Sequence, residues 1–296
     1  MSGDEPSGTA GGPDGPSGAL ESGLERARGL GDDGDFQGMA EHLRALLEDF
    51  PDAAAVLCWL GVAERELGLD GVAYERFRAC LEAEPDDPHV LATAGNAVAA
   101  FDDPGAEPAL RTAAMLAPEL ALTRWLYGAY LAREGFVTQA LEELQAARTL
   151  EPDNPGIAFD LGVALALDGN HDGAIDELFR ATELVRGDGW TRVVLGLAVL
   201  EDGRVEEAAA ELVAGARLRP DDVEAQLLAS LAAADQGWDD VAWEMLERGR
   251  QEGEGADLLL AEEVEERLDQ GAAEARSFLI RELAPIAYRE RLAERP

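Results

Sequence analysis

Lysine is absent from this 296-residue chain, and all 24 of its basic residues are arginine. That excludes a phosphate-binding loop of the Gly-rich Lys-Ser/Thr type and any covalent chemistry that needs a lysine amine. Histidine is nearly absent too: His42, His89 and His171 stand far apart, and no His-x-x-x-His pair exists. The two cysteines, Cys58 and Cys80, make no disulfide framework. No stretch approaches the roughly 18–20 consecutive apolar residues of a membrane span. The first residues, MSGDEPSGTAGGPDGPSG, have neither a basic region nor an apolar run, and Gly does not follow Met1. A signal peptide and myristoylation are therefore not expected, and a cytoplasmic protein with reduced thiols is.

Against the arginines stand 61 Asp and Glu, for a net charge of −37. Such a surface repels nucleic acid phosphates and anionic membranes and favours solubility or a basic partner. Scarcity of Lys, Ile and Asn fits a GC-rich bacterial genome. A high-salt cytoplasm is a second reading. Apolar residues at 47% suit a folded chain. The exception is residues 1–19, which are Gly, Ser, Pro and acid and are expected to be disordered.

Beyond residue 19 the chain repeats. A glycine recurs at Gly61, Gly95, Gly128, Gly162 and Gly196, at spacings of 34, 33, 34 and 34. A second glycine follows seven residues later at Gly68, Gly135, Gly169 and Gly203. Alanine recurs at Ala73, Ala140, Ala174, Ala208 and Ala242, and proline at Pro51, Pro85, Pro118, Pro152 and Pro220. Each has a physical job in a pair of antiparallel helices. The first glycine and the alanine let the backbones approach. The second glycine supplies the left-handed residue that ends the first helix. Proline ends the second helix, and the Asp or Asn after it caps the next.

These residues and spacings resemble the tetratricopeptide repeat family. The units run over 20–53, 54–87, 88–120, 121–154, 155–188, 189–222 and 223–256, with C-terminal capping helices over 257–296. The resemblance implies an all-α, right-handed α-solenoid of about seven helix-turn-helix units. Departures are the family's tryptophan at position four, replaced by Leu57, Arg124 and Arg192, and Ser230 in place of the first glycine. Unit 88–120 is irregular, and its second helix is expected to start near Pro108. The last helix is expected to bend near Pro285.

The repeats leave no room for a separate catalytic domain, so no enzyme, cofactor or metal is expected. His171-Asp172 reads as a capping pair, and Cys80 as a buried, inert thiol. Unit positions 2, 5, 9 and 12 form a stripe on each first helix that, in the proteins this chain resembles, lines a concave groove. In the first three units it is mixed, with Arg65 and Asn96. In the next three it is largely apolar: Leu122 and Trp125; Phe159 and Val163; Trp190, Val193 and Leu197. Arg65 and Arg133 can pair with acidic groups of a ligand.

The leading expectation is a non-enzymatic scaffold or adaptor. It would bind a protein or peptide segment, apolar with basic flanks, against Trp125, Phe159 and Trp190. Two other readings stay open: the stripe packs between neighbouring helices, or the C-terminal segment fills the groove. The alternative function is an assembly subunit that self-associates through its C-terminal end. That end, 276–296, carries five Arg against three Glu and follows an acidic run over 252–269. It either folds back on that run or grips an acidic partner.

Overall fold

The computed structural model describes residues 16–293, with side chains from residue 18. Within them all regular structure is helical, and successive helices pack in helix-turn-helix order. The chain divides into two compact units, Met1–Tyr130 and Leu131–Pro296.

The first unit holds α1 (Pro16–Asp32), α2 (Phe36–Asp49), α3 (Ala54–Glu66), α4 (Asp70–Glu82), α5 (Pro88–Ala99), α6 (Ala106–Leu116) and most of α7 (Ala121–Arg133). Of the tail expected over 1–19, residues 1–15 lie outside the described residues, while 16–19 already belong to α1. Proline suits a helix start because its missing N–H has no intrahelical partner there. The core comes in three clusters, centred on Leu43 and Leu60, on Phe77 and Val98, and on Leu110 and Ala113.

The second unit continues with α8 (Val137–Leu150), α9 (Pro155–Leu167), α10 (His171–Leu184), α11 (Gly189–Glu201), α12 (Val205–Leu218), α13 (Val223–Asp235), α14 (Asp239–Glu252) and α15 (Ala256–Gln270). A single residue, Gly271, joins α15 to α16 (Ala272–Phe278). A π-helical turn over Leu279–Leu283 then leads into α17 (Ala284–Ala293). This turn ends two residues before Pro285, near which the sequence predicts a bend. One buried cluster runs from Ala158 in α9 to Tyr288 in α17.

The repeat residues act as their chemistry requires. Gly34, Gly68, Gly135, Gly169, Gly203 and Gly237 all take positive φ, between 72° and 83°. Unit 88–120 has no such glycine. Asp102 stands in its place, seven residues after Gly95, and takes φ 54°. The neighbouring Asp103 secures that turn by accepting from Gly105 N at 2.7 Å and from the Tyr74 hydroxyl at 2.8 Å. Pro108 is the third residue of α6, in the first turn that tolerates it.

Close approach explains the other glycine. A Cβ on Gly162 would lie 2.8 Å from Leu178 Cγ, and one on Gly196 3.0 Å from the Leu212 backbone nitrogen. The facing alanines Ala174 and Ala208 are fully buried. Where Ser230 replaces the glycine, its hydroxyl is buried and donates to Ala242 O at 2.8 Å. His171 is no cap: Asn170 caps α10 by accepting from Gly173 N at 3.1 Å. Cys58 and Cys80 are both buried, and a bond to Cys80 together with burial pushes the Cys58 thiol well up.

Candidate functional site

In the second unit, three helix ends converge on a cleft of about 250 Å³. The start of α9 supplies Pro155, Gly156 and Phe159, the end of α10 supplies Ala181 and Val185, and the entry to α11 supplies Asp188, Trp190 and Thr191. Local chemistry fixes all three ends. Asn154 caps α9, its Oδ1 accepting from Gly156 N at 3.0 Å and Ile157 N at 3.3 Å, and Pro155 takes the first helical position. Asp188 caps α11 through Thr191 N at 3.1 Å and also accepts from the Thr191 hydroxyl. Gly189 lets α11 start hard against α12, since a Cβ there would meet Gly215 O at 2.9 Å.

Trp190 forms one wall and is half-buried. Its ring faces two guanidinium groups, Arg291 at 4.6 Å and Arg219 at 5.4 Å from the centroid. Both arginines bond Asp222. Arg291 does so with two nitrogens, at 2.7 and 3.0 Å, and Arg219 with Nε at 3.1 Å. Arg291 also donates to Glu224 at 2.9 Å. Arg291 is 4% exposed, so a buried cation is matched by two carboxylates and an aromatic face. Asp222 caps α13 as well, accepting from Ala225 N at 3.0 Å. Burial raises the Asp222 carboxyl, but the Arg291 bonds and charge, with those from Ala225 and Arg219, more than offset it and leave it low. At Glu224 burial wins over Arg291, and the carboxyl is raised. Burial also pushes the Tyr288 phenol, in α17, up to about 12.

The structure treats the stripe residues unequally. Phe159 and Trp190 share the cleft, though Phe159 itself is buried. Val163 is buried in the same core. Val193 and Leu197, which the spacing places on the stripe, are fully buried. α17 packs on α11, and α16 with the turn after it packs on α13. Arg133 lies in the second unit and is exposed. In the first unit Leu122 and Trp125 are half-buried against the Leu91–Leu110–Leu126 cluster. Asn96 is half-buried there, and Arg65 is exposed with Glu66 3.8 Å away.

Among the described residues, Arg276 and Arg291 of the arginine-rich end pair with carboxylates of α13 and its cap rather than with the acidic run. Arg291 pairs with Asp222 and Glu224 at the start of α13, and Arg276 with Asp235 at its end, 3.8 Å away. Asp222 had been legible only as a cap in the phrase Arg219-Pro220-Asp221-Asp222. Its second role depends on a residue 69 positions later. Among the described residues, no group of three or more His, Cys, Asp or Glu is placed to hold a metal ion. No described helix is long and apolar enough to cross a membrane.

Comparison with curated proteins gives no match. Among solved structures, a chain of the APC/C hetero-tetramer Cut9-Hcn1 is similar with a TM-score of 0.67 and 19% identity, over 81% of this chain and 48% of that one. PilF of Pseudomonas aeruginosa is similar with a TM-score of 0.56 and 19% identity, over 69% of this chain and 93% of its own. At these identities the likeness speaks to fold alone. The tetratricopeptide repeat profile matches residues 24–88, 128–188 and 193–256, well over half of the sequence. Matched over those three stretches, and built from helix pairs with glycine at most inner turns and close approaches, the chain belongs to the tetratricopeptide repeat family.

Proposed function

We propose that this chain is a non-enzymatic protein-interaction scaffold that holds a segment of a partner protein in the cleft between α9, α10 and α11. The observation that carries this reading is the cleft itself, walled by Phe159, Val185 and Trp190 and with Asp188 as its one charged lining residue. A volume of about 250 Å³ is below the roughly 300–1,000 Å³ of small-molecule pockets. It suits one anchoring side chain of a segment whose remainder lies on the surface. Val185 is exposed, so the apolar wall is reachable. The net charge of −37 draws basic flanks toward the site and repels nucleic acid.

A displayed random-peptide library tests this. Selection on the wild-type chain is expected to enrich segments with an aromatic or aliphatic anchor beside arginine or lysine. Val185→Asp, which alters the exposed wall without entering the core, is expected to weaken the selected peptides at least tenfold. Enrichment of no common pattern, or equal binding by the variant, would reject the site.

A further inference from the structure

We propose that residues 272–293 are an exchangeable arm, and that the face of α11 and α13 is an interaction surface that receives this arm from a second copy of the chain. The arm hangs on one residue. Gly271 is the whole connection between α15 and α16, with φ 103° and ψ 172°, a conformation essentially open only to glycine. Its body is docked: Ala275, Phe278, Leu279, Leu283, Ala287 and Tyr288 are buried. It packs on α13 through α16 and the π-helical turn, and on α11 through α17. Its far end is locked, with Arg291 held by Asp222 and Glu224 against Trp190.

These features restrict what the arm can do. A free arm would leave its apolar face and a paired cation's partners uncovered, so it must be seated somewhere. If Gly271 becomes helical, α15 and α16 join into one continuous helix and carry the arm away from its own α13. The receiving surface on a second copy is identical, so every docked contact can be remade in trans, including that of Arg267 over the Phe278 ring at 5.2 Å. Exchange then needs no new surface, only a straightened hinge and sufficient concentration. The arm's chemistry also defines the partner: an amphipathic helix ending in an arginine that reaches a paired-carboxylate socket beside a tryptophan.

The lock allows a direct test by charge reversal. Asp222→Arg sets like charge against Arg291, and Arg291→Asp sets like charge against Asp222. Neither variant can lock its own arm, nor the arm of an identical copy. In an equal mixture that is unfolded and refolded together, reciprocal exchange restores both locks. Light scattering is expected to show twice the chain mass for the mixture and the single-chain mass for each variant alone, with helicity retained by circular dichroism. A mixture no heavier than its components overturns the proposal. If either variant fails to fold, Gly271→Ala decides. It leaves the lock intact but disfavours the closed hinge, so the dimer fraction should rise at least tenfold over wild type at equal concentration. An unchanged monomer overturns the proposal equally.

Discussion

Single residues show where the repeat is strained and where charge is matched. Asp102 holds a left-handed position that glycine fills in the other units, at a cost of about 1 kcal/mol for a residue with a Cβ. Asp102→Gly should therefore raise stability by roughly 0.5–1 kcal/mol, read as a higher urea midpoint with unchanged slope. Asp222 gives the opposite sign. Its carboxyl is held low in the fold, so its ionisation stabilises above the unfolded value of about 3.9. That contribution is lost as pH falls through the folded value. Asp222→Asn keeps the cap but leaves Arg291 under-matched, costing about 3 kcal/mol at pH 7. The deficit should shrink toward zero as unfolding is measured at progressively lower pH, down to below 3. A deficit independent of pH would mean that the charge of Asp222 is not what stabilises the lock.

At the scale of elements, stability comes from how closely neighbouring helices approach. Gly162 and Gly196 sit where a methyl group would press on Leu178 and on the Leu212 backbone. Ala raises intrinsic helix propensity, so Gly→Ala in isolation would stabilise. Here the steric term is larger. Gly196→Ala is expected to cost about 1–3 kcal/mol, because a backbone atom cannot rotate aside as a side chain can. Gly162→Ala meets a leucine Cγ at the same 2.8 Å, but its nearest backbone atom, Ala174 O, stands off at 3.2 Å, so it should cost less. Thermal unfolding of both variants checks the ranking. The caps belong to the same scale. Asp188→Ala removes the acceptor for Thr191 N at the start of α11 and should cost about 1 kcal/mol. It also removes the only charge lining the cleft, so loss of basic-flanked peptides would accompany the fall in stability.

For the whole molecule, charge sets the environment. A net charge of −37 imposes self-repulsion that salt screens, with a Debye length falling from about 10 Å at 0.1 M to about 3 Å at 1 M. The melting temperature should rise with potassium chloride over that range. A flat response would show that the arginine pairs already neutralise the strain locally. Those pairs join different helices, as in Arg44 and Arg76 on the buried Glu64, Arg148 with Glu177, and Arg192 with Glu211.

What the sequence determined alone is what acts over short range. Glycines at positive φ, prolines past helix ends, alanines at close approach and Asp or Asn caps need only residues a few positions away, and the period of 34 exposes them by repetition. The helix starts at Ala54, Pro88, Pro155, Gly189 and Val223 follow from that period. What only the tertiary structure decided is which face is left open. The spacing that puts Val193 and Leu197 on one face of α11 is the same whether water, a partner or another part of the chain covers them. The C-terminal arm that closes this core carries Arg291 to Asp222 and Glu224 across nearly seventy residues. Among so many carboxylates, no local pattern marks which two will be buried beside a tryptophan. Burial strengthens the pairing, and only the folded chain creates the burial.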